Sequence, residues 1–430
     1  MNKNTPITIY LDCTRLLGNS LTVRPSGIER VDMNYLHAII ADRDFYPLGF
    51  IEAVLVGGKT NGFFEISNET TREWIATCYK KWIEDVPSDD AYLKSIQAIL
   101  NNVKLEVRNA VLEFRATQQV DNKILQRTGQ NKVAPKYLNC TFINIPLGMQ
   151  HAELMSSLNI ETHYHVHDLI PFKYPEYIRN NAIPKEHLNR LYGVATNKPK
   201  IIVMSEYVRA DIDNTLEQLG VPSPEMIVIN PGVEDVFTAS SKYNAAVFSP
   251  VPKFTIISTL EPRKNHVLLL NIWRELIETY GERAPELHII GRRGWDNDST
   301  FHLLDKSPAL KTKVKEQNSL SDEEIVGVLM ESRATLCPSF DEGWGLQIVE
   351  SLSHGIPVIC SDIPVNRECS QGYATFISPI DGIAWKNEIV KIASESKSDW
   401  ASRVHTVKQF VPVRWSDSTK KMVSYLKSGG

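Results

Sequence analysis

Two glutamates with seven residues between them, Glu342 and Glu350, are the clearest candidates for chemistry in this chain. They lie in Pro338-Ser339-Phe340-Asp341-Glu342-Gly343-Trp344-Gly345-Leu346-Gln347-Ile348-Val349-Glu350, where an apolar helical spacing begins after the second glycine. Ala334 to Pro338 reads as a short strand before them. A strand, a glycine-bearing loop and a helix in that order expose backbone N–H groups at a helix N-terminus, which suits an anionic ligand. With a rise of ~1.5 Å per residue, Glu350 falls about one turn inside the helix while Glu342 stays in the loop. The two carboxylates can then bracket a ligand whose phosphates face the helix end. A second feature is the adjacent pair Arg263-Lys264, placed between the strand pattern Phe254–Ser258 and a helix marked by Leu269, Trp273, Leu276, Ile277 and Tyr280. The helix dipole disfavours cations at that end. An anionic ligand would explain them; a salt bridge to Glu261 is the plain structural alternative.

Two further sites come from the first half of the chain. Gly27 sits where a polar loop, Thr14 to Ser26, meets a helix carrying Ile28, Val31, Tyr35, Leu36 and Ile39 at helical spacing, another geometry that accepts phosphate. His163, His165 and His167 alternate along one strand and so share a face. A metal would ask for a further ligand, and no Cys or His stands nearby to supply it. The reading preferred here puts His167-Asp168 at the carboxyl end of a parallel strand, where open α/β sheets bind ligands.

The elements that must hold these residues alternate between strand and helix. Strand patterns fall at Ile7–Asp12, Phe50–Val56, Cys140–Ile145, His163–Pro171, Lys200–Met204 and Met226–Ile229. After a Pro-rich linker they resume at Phe254–Ser258, Glu286–Gly291, Val314–Asn318, Ala334–Pro338 and Ile356–Cys360. Ser205 and Ser321 are candidate helix caps, the latter with Glu324 in a capping box. Gly355 suits the helix end. Repeated βα units imply parallel sheets, and 430 residues exceed one ordinary core. The expected division is residues 1–235, residues 236–410, and a last helical segment, 411–430, crossing back to the first domain. Residues 68–130 look like a helical elaboration. Trp74, Lys80, Lys81 and Trp82 there could touch a membrane surface, but acidic and basic residues balance across the segment, which favours a buried helix face.

Composition narrows the class. Hydrophobic residues make up 42% and charged residues 23%, ordinary globular values. A net charge of −4 gives no electrostatic case for nucleic acid. The six cysteines are scattered without a C-x-x-C pair, which fits buried thiols in a reducing compartment. No apolar run reaches the ~20 residues that span a bilayer, and the first residues lack a signal-peptide pattern. The expectation is a cytoplasmic protein, with peripheral association at the inner face of the cytoplasmic membrane left open.

Taken jointly, the E-x7-E element, the Arg-Lys pair, Arg24-Pro25-Ser26-Gly27-Ile28-Glu29-Arg30-Val31 and Val166-His167-Asp168-Leu169-Ile170-Pro171 resemble retaining family-4 glycosyltransferases of the GT-B fold, most of all those that build bacterial surface polysaccharides. The resemblance covers most of the chain, least clearly residues 68–130. It implies an α/β fold of two Rossmann-like doubly wound domains facing a cleft. Glu342 would hold donor-sugar hydroxyls and Glu350 the ribose hydroxyls. Arg263 and Lys264 would neutralise the diphosphate. Gly343, Trp344, Gly345 and Leu346 would offer backbone N–H groups, and Gly27 would approach the diphosphate from the opposite domain. His167 with Asp168 would lie beside the donor sugar, and Asn318, Ser319 and Leu320 near the base. Many relatives have proline where Gln347 stands.

The implied reaction is retaining transfer of a hexose or deoxyhexose from a nucleotide-diphosphate sugar to a glycan acceptor, lipid-linked in the first reading, without a cofactor or metal. GDP-mannose is the first donor expected; UDP-hexoses and dTDP-rhamnose remain open. The alternatives are a nucleotide-sugar-binding protein without catalysis and a phosphorylase-like enzyme. The first sits poorly with an intact set of Glu342, Glu350, Arg263 and Lys264; the second needs a pyridoxal-phosphate lysine.

Overall fold

The computed structural model describes residues 6–21, 25–54, 61–84, 90–117, 133–142, 148–180, 182–238 and 247–428. They build two sheets. The first has seven strands in the spatial order β3-β2-β1-β4-β5-β6-β7: β1 Ile7–Asp12, β2 Phe45–Val54, β3 Asn61–Ile66, β4 Lys136–Asn139, β5 Glu161–Val166, β6 Lys200–Val203 and β7 Glu225–Val228. All pair in parallel except β3, an antiparallel edge on β2. The second has six, in the order β10-β9-β8-β11-β12-β13: β8 Lys253–Ile257, β9 Glu286–Ile290, β10 Val314–Gln317, β11 Ala334–Cys337, β12 Val358–Ser361 and β13 Thr375–Ile377. Its described pairings are all parallel. In both sheets the chain moves outward one way from the first strand and then reverses, so the first strand flanks a topological switch point.

Most strands fall within a residue or two of their apolar patterns. The pattern at Cys140–Ile145 lies in its second half outside the described residues; its described part, Cys140–Phe142, is not strand, and the strand before it is Lys136–Asn139. The buried Asn139 side chain accepts from Thr141 and Phe142 N–H at 3.1 and 2.6 Å, turning the chain just where the apolar run starts. β2 begins at Phe45 rather than Phe50, and β3 and β13 carried too little periodic signal to be read. The expected loop after β1 holds a short helix, Thr14–Asn19. The Ile356–Cys360 pattern becomes β12 two residues later, because Gly355 with φ +75° ends the preceding helix in the left-handed region.

The elaboration consists of helices Asn68–Trp82 and Asp90–Thr117; residues 118–132 lie outside the described residues. Trp74 and Trp82 are buried in the main core, and Trp74 donates to Ser20 Oγ at 2.8 Å. Lys81 is buried as well. These side chains face the protein, and of the four once considered for a membrane surface only Lys80 is exposed. No helix among the described residues is long and apolar enough to cross a membrane.

One apolar cluster runs without a break from Ile9, Tyr35 and Met204 on the first sheet to Trp344, Ile348 and Cys369 beside the second. The helix Trp415–Ser428 packs on the helix Gly27–Ala41: Tyr35 Oη lies 2.9 Å from Ser418 Oγ, and Lys427 Nζ lies 2.8 and 2.6 Å from Asp42 and Asp44. The two sheets are thus joined by packed side chains as well as by the connecting chain.

Candidate functional site

The carboxyl ends of both sheets face each other, and the residues singled out above gather there. After β11 the loop is tied down by the Phe340 N–H, which donates to the Arg263 carbonyl at 3.0 Å. The buried Asp341 accepts from the Glu342 N–H at 2.8 Å. Gly345, at φ +108°, turns the chain into the helix Leu346–Ser353; a side chain there would be strained. Gly343 is required for a different reason. A Cβ on it would come within 2.5 Å of the His167 carbonyl and 2.9 Å of Met204 Cε, both on the opposite domain. Ser205, the cap of helix Glu206–Gln218, accepts from the Val208 N–H at 3.1 Å and donates to the Gly343 carbonyl at 3.0 Å. The cleft is closed at this point by backbone meeting backbone.

Glu342 is held by both cations. Lys264 Nζ is 2.6 Å from Oε1 and Arg263 Nη1 is 3.0 Å from Oε2. Arg263 also bridges Glu261 at 2.6 Å and donates to the Asp341 carbonyl, so the structural partner and the site carboxylate share one guanidinium. Burial alone would raise the Glu342 carboxyl, but Lys264 and Arg263 outweigh it and hold it at about 2. Gln347 Nε2 stands 3.5 Å from Glu342 Oε1, so Gln347 faces the same carboxylate.

Glu350 has the opposite surroundings. Burial raises its carboxyl to about 7; Arg30 opposes the rise, while Asp322 and Glu234 add to it. Arg30 reaches across from the Gly27 helix and grips Asp322 with both terminal nitrogens, at 3.1 and 2.7 Å. Asp322 opens the helix Asp322–Met330, whose Ser321–Glu324 capping box forms as expected. Asn318, Ser319 and Leu320 make the turn just before it, the first two exposed and Leu320 half-buried, with Ser319 at φ +63°.

From the first domain, the Gly27 helix starts with a Ser26–Glu29 capping box and points its N-terminus at the Leu346 helix. A Cβ on Gly27 would lie 3.4 Å from Leu346 Cδ1. Two helix N-termini therefore converge from opposite sides, and their dipoles favour an anion between them. Trp344 is buried in the core, so its ring faces away from that space. Asp168 Oδ1 accepts from the Ile170 N–H at 3.0 Å, and its charge adds to those that raise Arg263.

The three histidines of β5 divide between partners. His163 Nε2 is 3.0 Å from Glu161 and its ring meets Tyr425 edge-on. His165 and His167 turn instead to Asp32 of the Gly27 helix, with Nδ1 at 3.8 Å and Nε2 at 3.2 Å from Oδ1. The sequence reading found no Cys or His beyond the three histidines to complete a ligand set; the helix supplies a carboxylate, Asp32, beside two of them. By distance this buried trio is the only cluster among the described residues close enough to hold a cation, its atoms lying within 4.8 Å of one another. Burial lowers His165 to about 4. Sequence reasoning also missed Lys173, whose ammonium is 2.7 Å from Asp211 and 3.2 Å from Asp341 and so ties the first domain to the carboxylate loop. Tyr177 stacks on Phe340 beside it, centroids 5.5 Å apart. Lys173 and Tyr177 continue the run that starts at His167, and only the fold shows that this run crosses the cleft.

Residues 244–399 match the family described as glycosyl transferases group 1. The match takes in the whole second sheet, β8 to β13, and the carboxylate loop. The chain is 30% identical over 225 residues to the serotype-specific mannosyltransferase WbdA of Escherichia coli, across 50% of this chain and 27% of that protein. It is 23% identical over 270 residues to the O-antigen chain mannosyltransferase B of Escherichia coli, across 61% of this chain and 68% of that one. The chain thus spans about a quarter of the length of the first relative. Among solved structures, the sucrose-phosphate synthase of Thermosynechococcus elongatus superimposes with a TM-score of 0.62 at 13% identity over 98% of both chains. That likeness is one of fold, and the fold is GT-B. The matched stretch contributes Glu342, Glu350, Arg263 and Lys264; the part of the chain before it contributes Gly27, His167 and Asp168.

Proposed function

We propose that this chain is a retaining, metal-independent glycosyltransferase of bacterial surface-polysaccharide assembly, acting in O-antigen, capsule or exopolysaccharide synthesis. It takes a hexose or deoxyhexose from a nucleotide-diphosphate sugar, with GDP-mannose the first donor. The acceptor is a glycan, lipid-linked in this reading and met at the inner face of the cytoplasmic membrane. The observation that carries the proposal is one carboxylate, Glu342, gripped by Arg263 and Lys264 where two helix N-termini converge across an interdomain cleft. Both relatives named above are called mannosyltransferases, which supports the sugar.

Breaking a sugar–diphosphate bond builds negative charge on the leaving phosphate and positive charge on the sugar. Arg263 and Lys264 meet the first, together with N–H groups at Gly27, Gly343, Trp344, Gly345 and Leu346. In this structure these cations are balanced by Glu342 and Glu261. Donor entry lets them turn toward the diphosphate and frees Glu342 to accept hydroxyls of the sugar ring. Glu350 accepts the ribose hydroxyls, with Asn318, Ser319 and Leu320 beside the base. His167 and Asp168 border the sugar. A phosphate oxygen of the leaving group takes the proton of the attacking hydroxyl on the same face, which gives retention.

Incubation of the purified protein with GDP-mannose, UDP-glucose and dTDP-rhamnose and a lipid-linked glycan acceptor tests this. Transfer from GDP-mannose with an axial anomeric linkage by NMR is expected. An inverted linkage would overturn the mechanism, and transfer only from another nucleotide would overturn the donor.

A further inference from the structure

Asp32 and His165 have no part in the chemistry above, yet they occupy the floor beneath His167. Both Asp32 oxygens, both His165 nitrogens and His167 Nδ1 are buried without an aligned hydrogen-bond partner among the described residues. Five such atoms in one place are unusual, since each unsatisfied buried group costs about 1–3 kcal/mol. The geometry at His167 is nevertheless specific. Its Nε2 lies 2.7 Å from the Cys140 carbonyl oxygen. A carbonyl only accepts, so Nε2 carries the proton. Asp32 Oδ1, 3.2 Å from the same nitrogen, then meets it as a second negative partner. The ring is fixed from two elements, the strand end at Cys140 and the helix at Asp32. Nδ1 is the atom left over.

We propose that Asp32 is a positioning residue for the transfer reaction: with the Cys140 carbonyl it holds His167 protonated on Nε2, so that Nδ1 is the ring atom offered to a hydroxyl of the donor sugar. This rests on the reading that His167 borders the donor sugar. The cost of burying Asp32 supports it. Burial alone would raise its carboxyl, yet His167 and His165 hold it below the usual range, so the carboxylate stays charged beneath the site. The other groups packed here are Tyr35, edge-on to His165 with centroids 5.5 Å apart, and the buried thiol Cys140. Neither can replace a carboxylate's charge. His165 lies farther from Asp32 than His167 does, 3.8 Å against 3.2 Å.

The test is a double-mutant cycle on donor turnover with Asp32→Asn, His167→Ala and the pair, with thermal midpoints recorded for each. Asp32→Asn should lower kcat by roughly tenfold with donor KM within about twofold, and should add almost nothing in the His167→Ala background. Asp32→Glu should recover part of the loss. Equal losses in both backgrounds would mean that Asp32 serves the fold alone and would overturn the proposal. If His167→Ala turns over at the parent rate, the placement of His167 itself has failed. Should Asp32→Asn not fold, the unmodified protein still decides. In ¹⁵N-histidine spectra the ring signal lost in His167→Ala must carry a proton on Nε2, and a ring protonated on Nδ1 alone would overturn the proposal. So would a stoichiometric transition metal in the purified protein, because Nε2 would then be a ligand rather than a donor.

Discussion

Glu342 and Glu350 are the same side chain on one short stretch, yet the protein gives them opposite electrostatics. Glu342 is clasped by Arg263 and Lys264 and held at about 2. Glu350 shares Arg30 with Asp322 and Glu234 and is lifted to about 7. Both lose solvent, Glu342 the more fully, and burial alone would raise both carboxyls, so burial does not explain the opposite shifts. The difference is the neighbouring charges: Arg263 and Lys264 stand against Glu342 and Glu261 in the first case, and Arg30 stands alone among Glu350, Asp322 and Glu234 in the second. In the first pocket two cations balance two carboxylates and, in the proposed function, turn to the diphosphate. The second has a carboxylate poised to change protonation near neutral pH, a state suited to hydroxyls that donate to it.

The largest effect is expected from the first pocket. Glu342→Ala leaves the half-buried Arg263 and Lys264 without their shared carboxylate and removes the contact proposed for the donor sugar. We expect kcat to fall about 10²–10³-fold and stability to fall by about 3 kcal/mol, read by steady-state kinetics and urea unfolding. The stability loss should be flat between about pH 5 and 8. A folded value held below the unfolded one contributes above about 4.5 and is lost only as pH falls through about 2. A destabilisation that grows between pH 5 and 8 would contradict the ion-pair reading.

Glu350→Gln should behave oppositely. Here the folded carboxyl lies above the unfolded one, so the folded state keeps a proton that the unfolded chain releases. The associated stability is present below about pH 4.5 and is lost as pH rises toward about 7. The thermal midpoint of Glu350→Gln should therefore gain on the parent protein across that window. Binding shows the reverse trend. An ionised carboxylate accepts hydroxyls better than a neutral one, so parent donor affinity should rise through about pH 7. Glu350→Gln should bind roughly tenfold more weakly above that pH and show no such rise, by calorimetry. A pH-independent parent affinity would remove Glu350 from the ribose.

How much of this the sequence carried follows from which interactions are local. Glu342, Glu350, Gly345 and the Ser321 cap depend on a strand-loop-helix turn within a few residues, and their spacing announced it. The parallel sheets followed from repeated βα patterns. Asp32 was invisible because it lies in an apolar helical repeat, where a single carboxylate reads as a surface position; only β5 across the sheet turns it into a partner of His165 and His167. Lys173 looked like loop until the fold set it against Asp341. Trp344 was named only for its backbone N–H, and that its ring faces the core needed the fold. The β4 error came from Asn139, whose turn-making side chain ended the strand before the apolar run. Electrostatics was least legible: nothing in the E-x7-E spacing says that one glutamate finds two cations and the other a crowd of acids.

The smallest expected effect is also the one that separates charge from scaffolding. Arg30→Met and Asp322→Asn break the same interdomain ion pair. If that bridge matters only because it holds the domains together, both variants weaken donor binding in the same way. If it matters through the field at Glu350, they act in opposite directions. Arg30→Met removes the one cation opposing the rise of Glu350, so the carboxyl climbs further above about 7. The rise in donor affinity then moves to higher pH, and affinity at neutral pH drops a few-fold. Asp322→Asn removes a neighbouring negative charge, so Glu350 falls and the rise moves to lower pH, with affinity at neutral pH kept or improved. Donor titrations of the two variants between about pH 6 and 9 distinguish the cases. Shifts of the same sign would show that the acidic crowd around Glu350 is bystander charge and that the contrast between the two glutamates belongs to Glu342 alone.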